Sequence, residues 1–175
     1  MSTQRMTQEN DPFPWTKITL KEALSLDETT LTHCLYAFHD PTDWLYIGLS
    51  HRLVTRLYQH LGIATANGEK WLDPEQAIEL LSSKSEELTD YQDYYSHLDI
   101  DHYYWDIYAC VPIKDLGLFI MNNRPKSLEW GYYYAPLQRL YPEASGTELN
   151  RLLYVEEKKL IQQHRPVFNK RNKPP

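Results

Sequence analysis

Two short runs of aromatic and β-branched residues, at positions 33–38 and 44–49, constrain the fold of this chain more than any other feature. The four residues between them include types that favour turns: Asp40, Pro41, Thr42 and Asp43. A connection of this length is common in β-hairpins. The pattern therefore predicts a hairpin of two antiparallel strands.

A helix is predicted directly after the hairpin, over residues 51–61. Ser50 supplies a hydroxyl that suits an N-cap, and Gly62 is a residue type that often ends a helix. Leucines recur every four residues in this segment, which is the spacing of a stripe that faces a core: Leu53, Leu57 and Leu61.

Less regular sequence follows this helix. Asp73 followed by Pro74 predicts the start of a second helix. Alternating aromatic and polar residues at 102–111 predict a third strand. Between 112 and 144 proline, glycine and asparagine recur without a clear period, so we expect an irregular insertion with one short helix near Leu137.

A last helix is predicted near the C-terminus. Ser145 and Glu148 have capping-box spacing, apolar residues with a helical period continue to about His164, and Pro166 stops the helix. A chain of 175 residues is most simply one domain. We expect an α/β fold of the α+β type, with a three-stranded, mainly antiparallel sheet flanked by helices.

Charge is segregated along the chain. The net charge is −6, but residues 158–175 hold six of the 18 basic residues and no acid, so all 24 acids lie before them. Phosphate backbones respond to such a local positive field, although a solubilising tail explains it as well. The six cations are Lys158, Lys159, Arg165, Lys170, Arg171 and Lys173.

Several protein classes are disfavoured by the sequence. No run of about 18 apolar residues occurs, so we expect no membrane partner. Residues 1–10 are polar and lack the apolar core of a secretory signal. Cys34 and Cys110 lack CxxC spacing, which favours the reducing cytoplasm. A zinc site at His97 and His102 remains a remote alternative, because it has no cysteine partners.

Arg56 and His60 lie four residues apart on the first predicted helix, one turn above the other and beside the leucine stripe. We expect both at the border between core and solvent. A guanidinium there can hold a phosphate through two parallel donors, and an imidazole can move a proton near neutral pH. A solvated arginine and a half-buried histidine explain the same spacing.

Tyr36 and Tyr46 lie on neighbouring strands of the predicted hairpin, where their side chains can meet on one sheet face. Two phenols near a cation and a metal can share a proton, and one would then ionise well below its usual pKa of about 10. The chain has 14 tyrosines, so ordinary strand packing is the alternative.

Two neighbouring glutamates, Glu156 and Glu157, both project near the apolar side of the last helix. A carboxylate in such surroundings needs a partner, because burying an unpaired charge is costly. Mg²⁺ and an arginine are both suitable partners. Helical spacing alone does not choose between the two glutamates.

Together these residues resemble the GIY-YIG endonuclease superfamily, most closely the catalytic module of bacterial excision-repair incision subunits. In that pattern the second tyrosine is followed by an arginine ten positions later and a histidine or tyrosine four positions after that. Tyr46, Arg56 and His60 match this spacing, and Gly48 completes the Tyr-Ile-Gly segment. The first segment reads Cys-Leu-Tyr at 34–36 instead of Gly-Ile-Tyr.

The terminal signature of the family separates the two glutamates. It is a glutamate with apolar residues three and four positions later, a proline nine later and an asparagine twelve later. Counting from Glu156 fails, whereas counting from Glu157 satisfies every position with Leu160, Ile161, Pro166 and Asn169. The likeness covers about residues 33–61 and 147–170.

The resemblance implies a domain organisation. With Pro12 and Pro14, residues 1–14 are expected to form a flexible lead-in. Residues 15–170 would then form a single nuclease domain, and 171–175 a basic tail. Within the domain, an insertion of about 62–146 separates the first helix from the catalytic C-terminal helix.

The resemblance also implies a DNA endonuclease that depends on Mg²⁺ or Mn²⁺. Glu157 would hold the metal, and Arg56 would bind a non-bridging phosphate oxygen. Tyr36 would act as the general base on water, with Tyr46 hydrogen-bonding beside it, and His60 would take or relay the proton.

Other residues have supporting roles in this interpretation. Asn169 would anchor the chain after the last helix, Gly48 would be structural, and Glu156 would pair with an arginine. Contacts to DNA, duplex or single-stranded, would come from basic residues: Arg52, Lys158, Lys159, Arg165, Lys170 and Arg171.

The segment 73–106 has ten acids and one base, Lys84. Such a surface repels DNA, and it either contacts a basic partner protein or is simply solvated. Three alternatives to a general DNA endonuclease stay open: a structure-specific or single-strand nuclease, an RNA nuclease, and a catalytically silent nucleic-acid-binding module of the same fold.

Overall fold

A computed structural model of the protein describes residues 12–27, 31–83 and 111–169. At its centre is a four-stranded antiparallel sheet in the order β1-β4-β2-β3. The strands are β1 (Thr16–Thr19), β2 (Cys34–His39), β3 (Trp44–Ser50) and β4 (Gly131–Pro136).

Five α-helices accompany these strands within the described ranges. They are α1 (Leu20–Ala23), α2 (Leu53–His60), α3 (Pro74–Ser82), α4 (Lys114–Asn122) and α5 (Gly146–His164), and two short 3₁₀ helices cover Lys126–Glu129 and Leu137–Arg139. In this part of the chain, no helix has both the length and the apolar character needed to cross a bilayer.

The predicted hairpin is confirmed, with Tyr36 opposite Gly48 and Phe38 opposite Tyr46. The helix after it is also confirmed, and its three stripe leucines are fully buried. The N-cap prediction is wrong, because Ser50 is the last residue of β3 and its hydroxyl accepts the backbone N–H of Arg52 at 2.9 Å. The helix therefore begins two residues later than expected, at Leu53.

The sheet has one strand more than predicted. The expected strand at 102–111 lies outside the described residues, apart from Val111. β4 lies in the stretch 112–144, which we expected to be irregular, and so does α4. β4 is an inner strand with both faces covered, so its sequence shows no alternation of apolar and polar residues. The 3₁₀ helix at Leu137–Arg139 confirms the short helix expected there.

The second helix begins as predicted, and the last helix begins and ends as predicted. Asp73 and Gln76 form a full capping box at the start of α3. The Ser145 hydroxyl accepts the backbone N–H of Glu148 at 3.2 Å, and α5 continues to His164. Arg165 then adopts a left-handed conformation, which turns the chain toward the sheet.

The sheet carries a different core on each face. The face that bears Tyr36, Phe38, Tyr46, Tyr132 and Tyr134 packs against α1, α2, α3 and α4, and we call it the α2 face. The opposite face packs against aliphatic residues of α5 and against Trp15, and we call it the α5 face; its sheet residues are Leu35, Ala37, Ile47, Tyr133 and Ala135.

The segment after α5 covers the outer edge of β3. The backbone N–H groups of Val167 and Phe168 donate to the carbonyls of Trp44 and Leu45 at 3.0 and 2.8 Å. The Asn169 side chain accepts the N–H of Ile47 at 2.9 Å and donates to its carbonyl at 2.8 Å. The predicted anchoring role of Asn169 is confirmed, and these bonds tie the end of α5 to the sheet.

Candidate active site

Tyr36 and Tyr46 lie on the α2 face, as predicted, with ring centroids 6.1 Å apart. Gly48 lies beside both rings: a Cβ built there would lie 2.6 Å from Tyr36 Oη and 2.8 Å from Tyr46 Cε1. No side chain fits in that space. The glycine therefore lets the Tyr36 hydroxyl extend across β3, the strand that lies at the sheet edge.

His60 meets that hydroxyl from α2. A hydrogen bond of 2.7 Å joins Tyr36 Oη to Nε2 of His60. The predicted position of His60 at the border of the core is wrong, since the side chain is 0% exposed. Phe38 and Tyr46 contact the imidazole on the sheet side, with centroids 5.4 and 5.2 Å away. Among the described residues, Nδ1 has no hydrogen-bond partner.

The pKa of Tyr36 is shifted upward, which contradicts the expected shift. Burial raises it well above its ordinary value near 10, and Tyr46 raises it further. Arg56 opposes this, while Glu157 adds to the increase in pKa. The side chain is only 1% exposed, so loss of hydration outweighs the attraction of one cation. Tyr36 is therefore a neutral phenol at physiological pH.

His60 is neutral as well. Burial, together with repulsion by the guanidinium of Arg56, lowers its pKa to about 3. The pair thus consists of a phenol and a neutral imidazole that share one hydrogen bond. Which atom donates depends on the imidazole tautomer: with the ring proton on Nδ1, Tyr36 donates to Nε2.

Glu157 approaches from the other half of the molecule. It is half-buried on α5, and its carboxylate is close enough to raise the pKa of Tyr36. Glu156 has a different environment: it accepts the hydroxyl of Tyr141 at 2.9 Å and lies 3.7 Å from the ammonium of Lys159. The prediction that Glu156 pairs with an arginine is therefore wrong.

A divalent metal fits this donor set only through Glu157. No group of three or more histidine, cysteine or acidic side chains that could hold a metal occurs in the described ranges. Mg²⁺ does not require such a group, because it is commonly held by one or two carboxylates, water and substrate phosphate. The half-buried carboxylate of Glu157 meets that requirement.

The sequence reasoning missed two aromatic neighbours of the pair. Tyr132 stacks on Tyr36 at 6.0 Å with an interplanar angle of 27°, and Phe38 meets Tyr36 edge-on at 6.2 Å. Both bury the phenol and thereby contribute to its raised pKa. Three consecutive tyrosines at 132–134 were the available signal for Tyr132, since such a run favours a strand.

The expected DNA contacts are only partly placed by the structure. Four of the six cations predicted to contact DNA are described, and all four are exposed. One of them, Arg52, folds toward the 66–68 loop, where its Nη1 donates to the Asn67 carbonyl at 3.4 Å. Lys170 and Arg171 lie outside the described residues, as does most of the acidic segment, from 84 onward. Of the six cations predicted to contact DNA, those that are described and exposed are Arg52, Lys158, Lys159 and Arg165.

Comparison with protein-family models, with curated proteins and with solved structures finds no match to this chain. Its function is therefore inferred from the geometry of the site.

Proposed function

We propose that this protein is a divalent-metal-dependent endonuclease that hydrolyses DNA phosphodiester bonds with a GIY-YIG-type active site. One observation carries the proposal: the other four predicted catalytic residues all act on the hydroxyl of Tyr36. His60 bonds to it, and Tyr46, Arg56 and Glu157 each shift its pKa. Residues up to 121 positions apart are thus close enough to influence one hydroxyl, which ordinary strand packing does not require.

Arg56 is the residue that binds phosphate in this proposal. Its guanidinium is half-buried on α2 and acts on both Tyr36 and His60. A bound phosphate would neutralise this cation and relieve its repulsion of a protonated imidazole. Substrate binding would thus make His60 a better proton acceptor than it is in the free protein.

The proton of the attacking water moves along the hydrogen bond between Tyr36 and His60. In the tautomer that leaves Nε2 unprotonated, Tyr36 Oη accepts a proton from water while its own proton passes to Nε2. The transfer needs no free tyrosinate, which burial strongly disfavours. Tyr46 lies beside Tyr36 in this proposal, Tyr36 is the general base on water, and His60 takes the proton.

Glu157 would hold the metal. When bound, Mg²⁺ or Mn²⁺ supplies positive charge that stabilises the phosphate and the leaving oxygen. The half-buried position of Glu157 gives it a partly desolvated carboxylate, which favours binding of a cation. We place this activity in the cytoplasm, consistent with the free, buried thiol of Cys34.

A second candidate is a catalytically silent nucleic-acid-binding module of the same fold. The near-complete burial of Tyr36 and His60 favours it, because water reaches their hydrogen bond only if neighbouring side chains move. The two candidates differ in turnover, which makes cleavage the decisive property.

The test is incubation of the purified protein with supercoiled plasmid, single-stranded DNA, branched DNA and single-stranded RNA, each with Mg²⁺ or with EDTA. The endonuclease proposal predicts Mg²⁺-dependent cleavage of at least one DNA substrate and none in EDTA. Binding without cleavage supports the silent module, and cleavage of RNA alone contradicts the assignment to DNA. Glu156→Ala is the matched control for Glu157→Ala in the same assay.

A further inference from the structure

Tyr154 on α5 is the most exposed of the large hydrophobic side chains in the described part of the protein, at 66%. It lies one turn before Lys158 and three residues after Arg151, and both of these cations are exposed. Successive helical residues turn by about 100°, so the three side chains lie on one side of α5. We call Arg151, Tyr154 and Lys158 the α5 strip.

The strip borders the catalytic residue of its own helix. Glu157 lies three residues after Tyr154, on the side of α5 that turns toward the sheet with Leu153 and Ile161. The strip itself contains no acid, and Gln162 continues it four residues beyond Lys158. A nucleic-acid strand along the strip would therefore meet cations first and the catalytic carboxylate beside them.

The strip also borders the end of β3 that leads into α2. The side chain of Asn150 hydrogen-bonds His33, and the His33 ring meets His51 edge-on with centroids 4.7 Å apart. His51 immediately precedes Arg52, the N-cap of α2. Asn150 lies one turn before Tyr154, so these contacts connect this part of α5 to the start of the helix that carries Arg56.

We propose that the α5 strip binds single-stranded DNA, with an unpaired base stacked on Tyr154 and the flanking phosphates at Arg151 and Lys158. This inference rests on the proposed function, because it assigns a substrate class to the same active site. A base inside a duplex is already stacked on its neighbours, whereas an unpaired base has a free face for the ring. Cations bind the backbone of either form, so Tyr154 is the residue that discriminates.

The experiment measures affinity by fluorescence anisotropy in EDTA, where no cleavage occurs, with a labelled oligo-dT and a labelled blunt duplex. Tyr154→Ala should weaken oligo-dT binding about 5- to 100-fold, which is the cost of losing one stacked base, and duplex binding less than about twofold. Tyr154→Phe keeps the ring and should bind like wild type. Val167→Ala is the matched control: it truncates another exposed hydrophobic side chain, 48% exposed, which lies beyond the end of α5 and off the strip.

Two results would overturn the inference: unchanged oligo-dT affinity in Tyr154→Ala, or equal weakening on both DNA forms. Circular dichroism and thermal melting verify that each variant is folded. The proposed function is judged separately, by cleavage in Mg²⁺. If the wild-type protein binds oligo-dT through Tyr154 but never cleaves DNA, the endonuclease proposal is contradicted and the proposal for the α5 strip still stands. An active enzyme whose oligo-dT affinity does not depend on Tyr154 contradicts the strip alone.

Discussion

The two helices that supply the site hold their functional groups in opposite ways. α2 has eight residues, of which six are buried, and His60 is sealed among aromatic rings. α5 has 19 residues, of which only four are fully buried, and Glu157 lies at the margin between core and solvent. The groups of α2 are positioned by packing, whereas those of α5 are positioned by the segment that pins its end to β3.

This difference separates stability from chemistry. A buried group that loses its partner costs stability as well as rate, because the remaining partner stays desolvated. A half-exposed carboxylate is already partly hydrated by solvent. Replacing it therefore affects the rate of the reaction more than the stability of the fold. Substitutions on the α2 side should therefore change both properties, and substitutions at Glu157 should change only the rate.

The largest effect is expected for Glu157→Ala. Loss of a metal-binding carboxylate removes several kcal/mol of transition-state stabilisation, so Mg²⁺-dependent cleavage should fall by at least about three orders of magnitude. The free energy of unfolding and most of the DNA affinity should persist. Single-turnover cleavage and urea denaturation measure the two. In Glu156→Ala, most of the activity should remain. If instead Glu156→Ala were inactive and Glu157→Ala active, Glu156 would be the metal-binding residue.

Tyr36→Phe should lower turnover by about two to four orders of magnitude, which is the usual contribution of general acid–base catalysis. It should also lower stability by roughly 1–3 kcal/mol, because Nε2 of His60 loses its partner in a buried site. Single-turnover kinetics and urea denaturation on the same preparation measure both.

Tyr132→Phe is the matched control for Tyr36→Phe. It removes a second buried hydroxyl from the same face, one that donates a long bond of 3.4 Å to the carbonyl of Leu53. Its cleavage rate should stay within a few-fold of wild type. A wild-type rate in Tyr36→Phe would remove that residue as the base.

Asn169→Ala tests how the α5 side is held in place. The substitution leaves the buried N–H and carbonyl of Ile47 without partners and should cost roughly 2–4 kcal/mol of unfolding free energy. Cleavage should fall as well, since the end of α5 loses its attachment to β3. Asn67→Ala, in an exposed loop, should change stability by less than about 0.5 kcal/mol. Equal stability of the two variants would show that the hydrogen bonds between Asn169 and Ile47 do not stabilise the fold.

The last effect is a pH dependence of stability that comes from His60 and needs no substitution at neutral pH to be seen. Its pKa is about 3 in the folded state and near 6.5 when unfolded, so the folded state binds fewer protons. This contribution to stability is complete above pH 6.5 and is lost as pH falls toward 3, by about 1.4 kcal/mol per pH unit. Denaturation of wild type and His60→Gln from pH 7 to 4 measures the difference. Parallel curves would mean that the imidazole is solvated in the folded protein.

The same contrast explains which parts of the fold were predictable from the sequence. The hairpin, α2, α3 and α5 were predictable because caps, turns and apolar periods are local signals. β1 and β4 pair across more than 100 residues. Both faces of β4 are covered, so its sequence lacks the alternation of apolar and polar residues that usually indicates a strand. Such long-range pairing leaves no local trace in one sequence.

The site divides in the same way. The identities and spacing of Tyr46, Arg56 and His60 were predictable, and so was the meeting of the two tyrosines. The complete burial of His60 and the raised pKa of Tyr36 were not, because both depend on Phe38, Tyr132 and the helices that close the α2 face. From its position on α2, His60 was predicted to lie at the border between core and solvent. In the folded protein, other elements pack over that border and bury the side chain.

A double-mutant cycle tests most directly whether the two sides form one active site. Single-turnover cleavage at saturating DNA is measured for wild type, Tyr36→Phe, Glu157→Gln and the double variant. Residues that act on one transition state give strongly non-additive losses, so the double variant should be no slower than the slower single variant within about tenfold. Losses that multiply would show that Tyr36 and Glu157 act independently, and the α2 face of the sheet and α5 would not share a site.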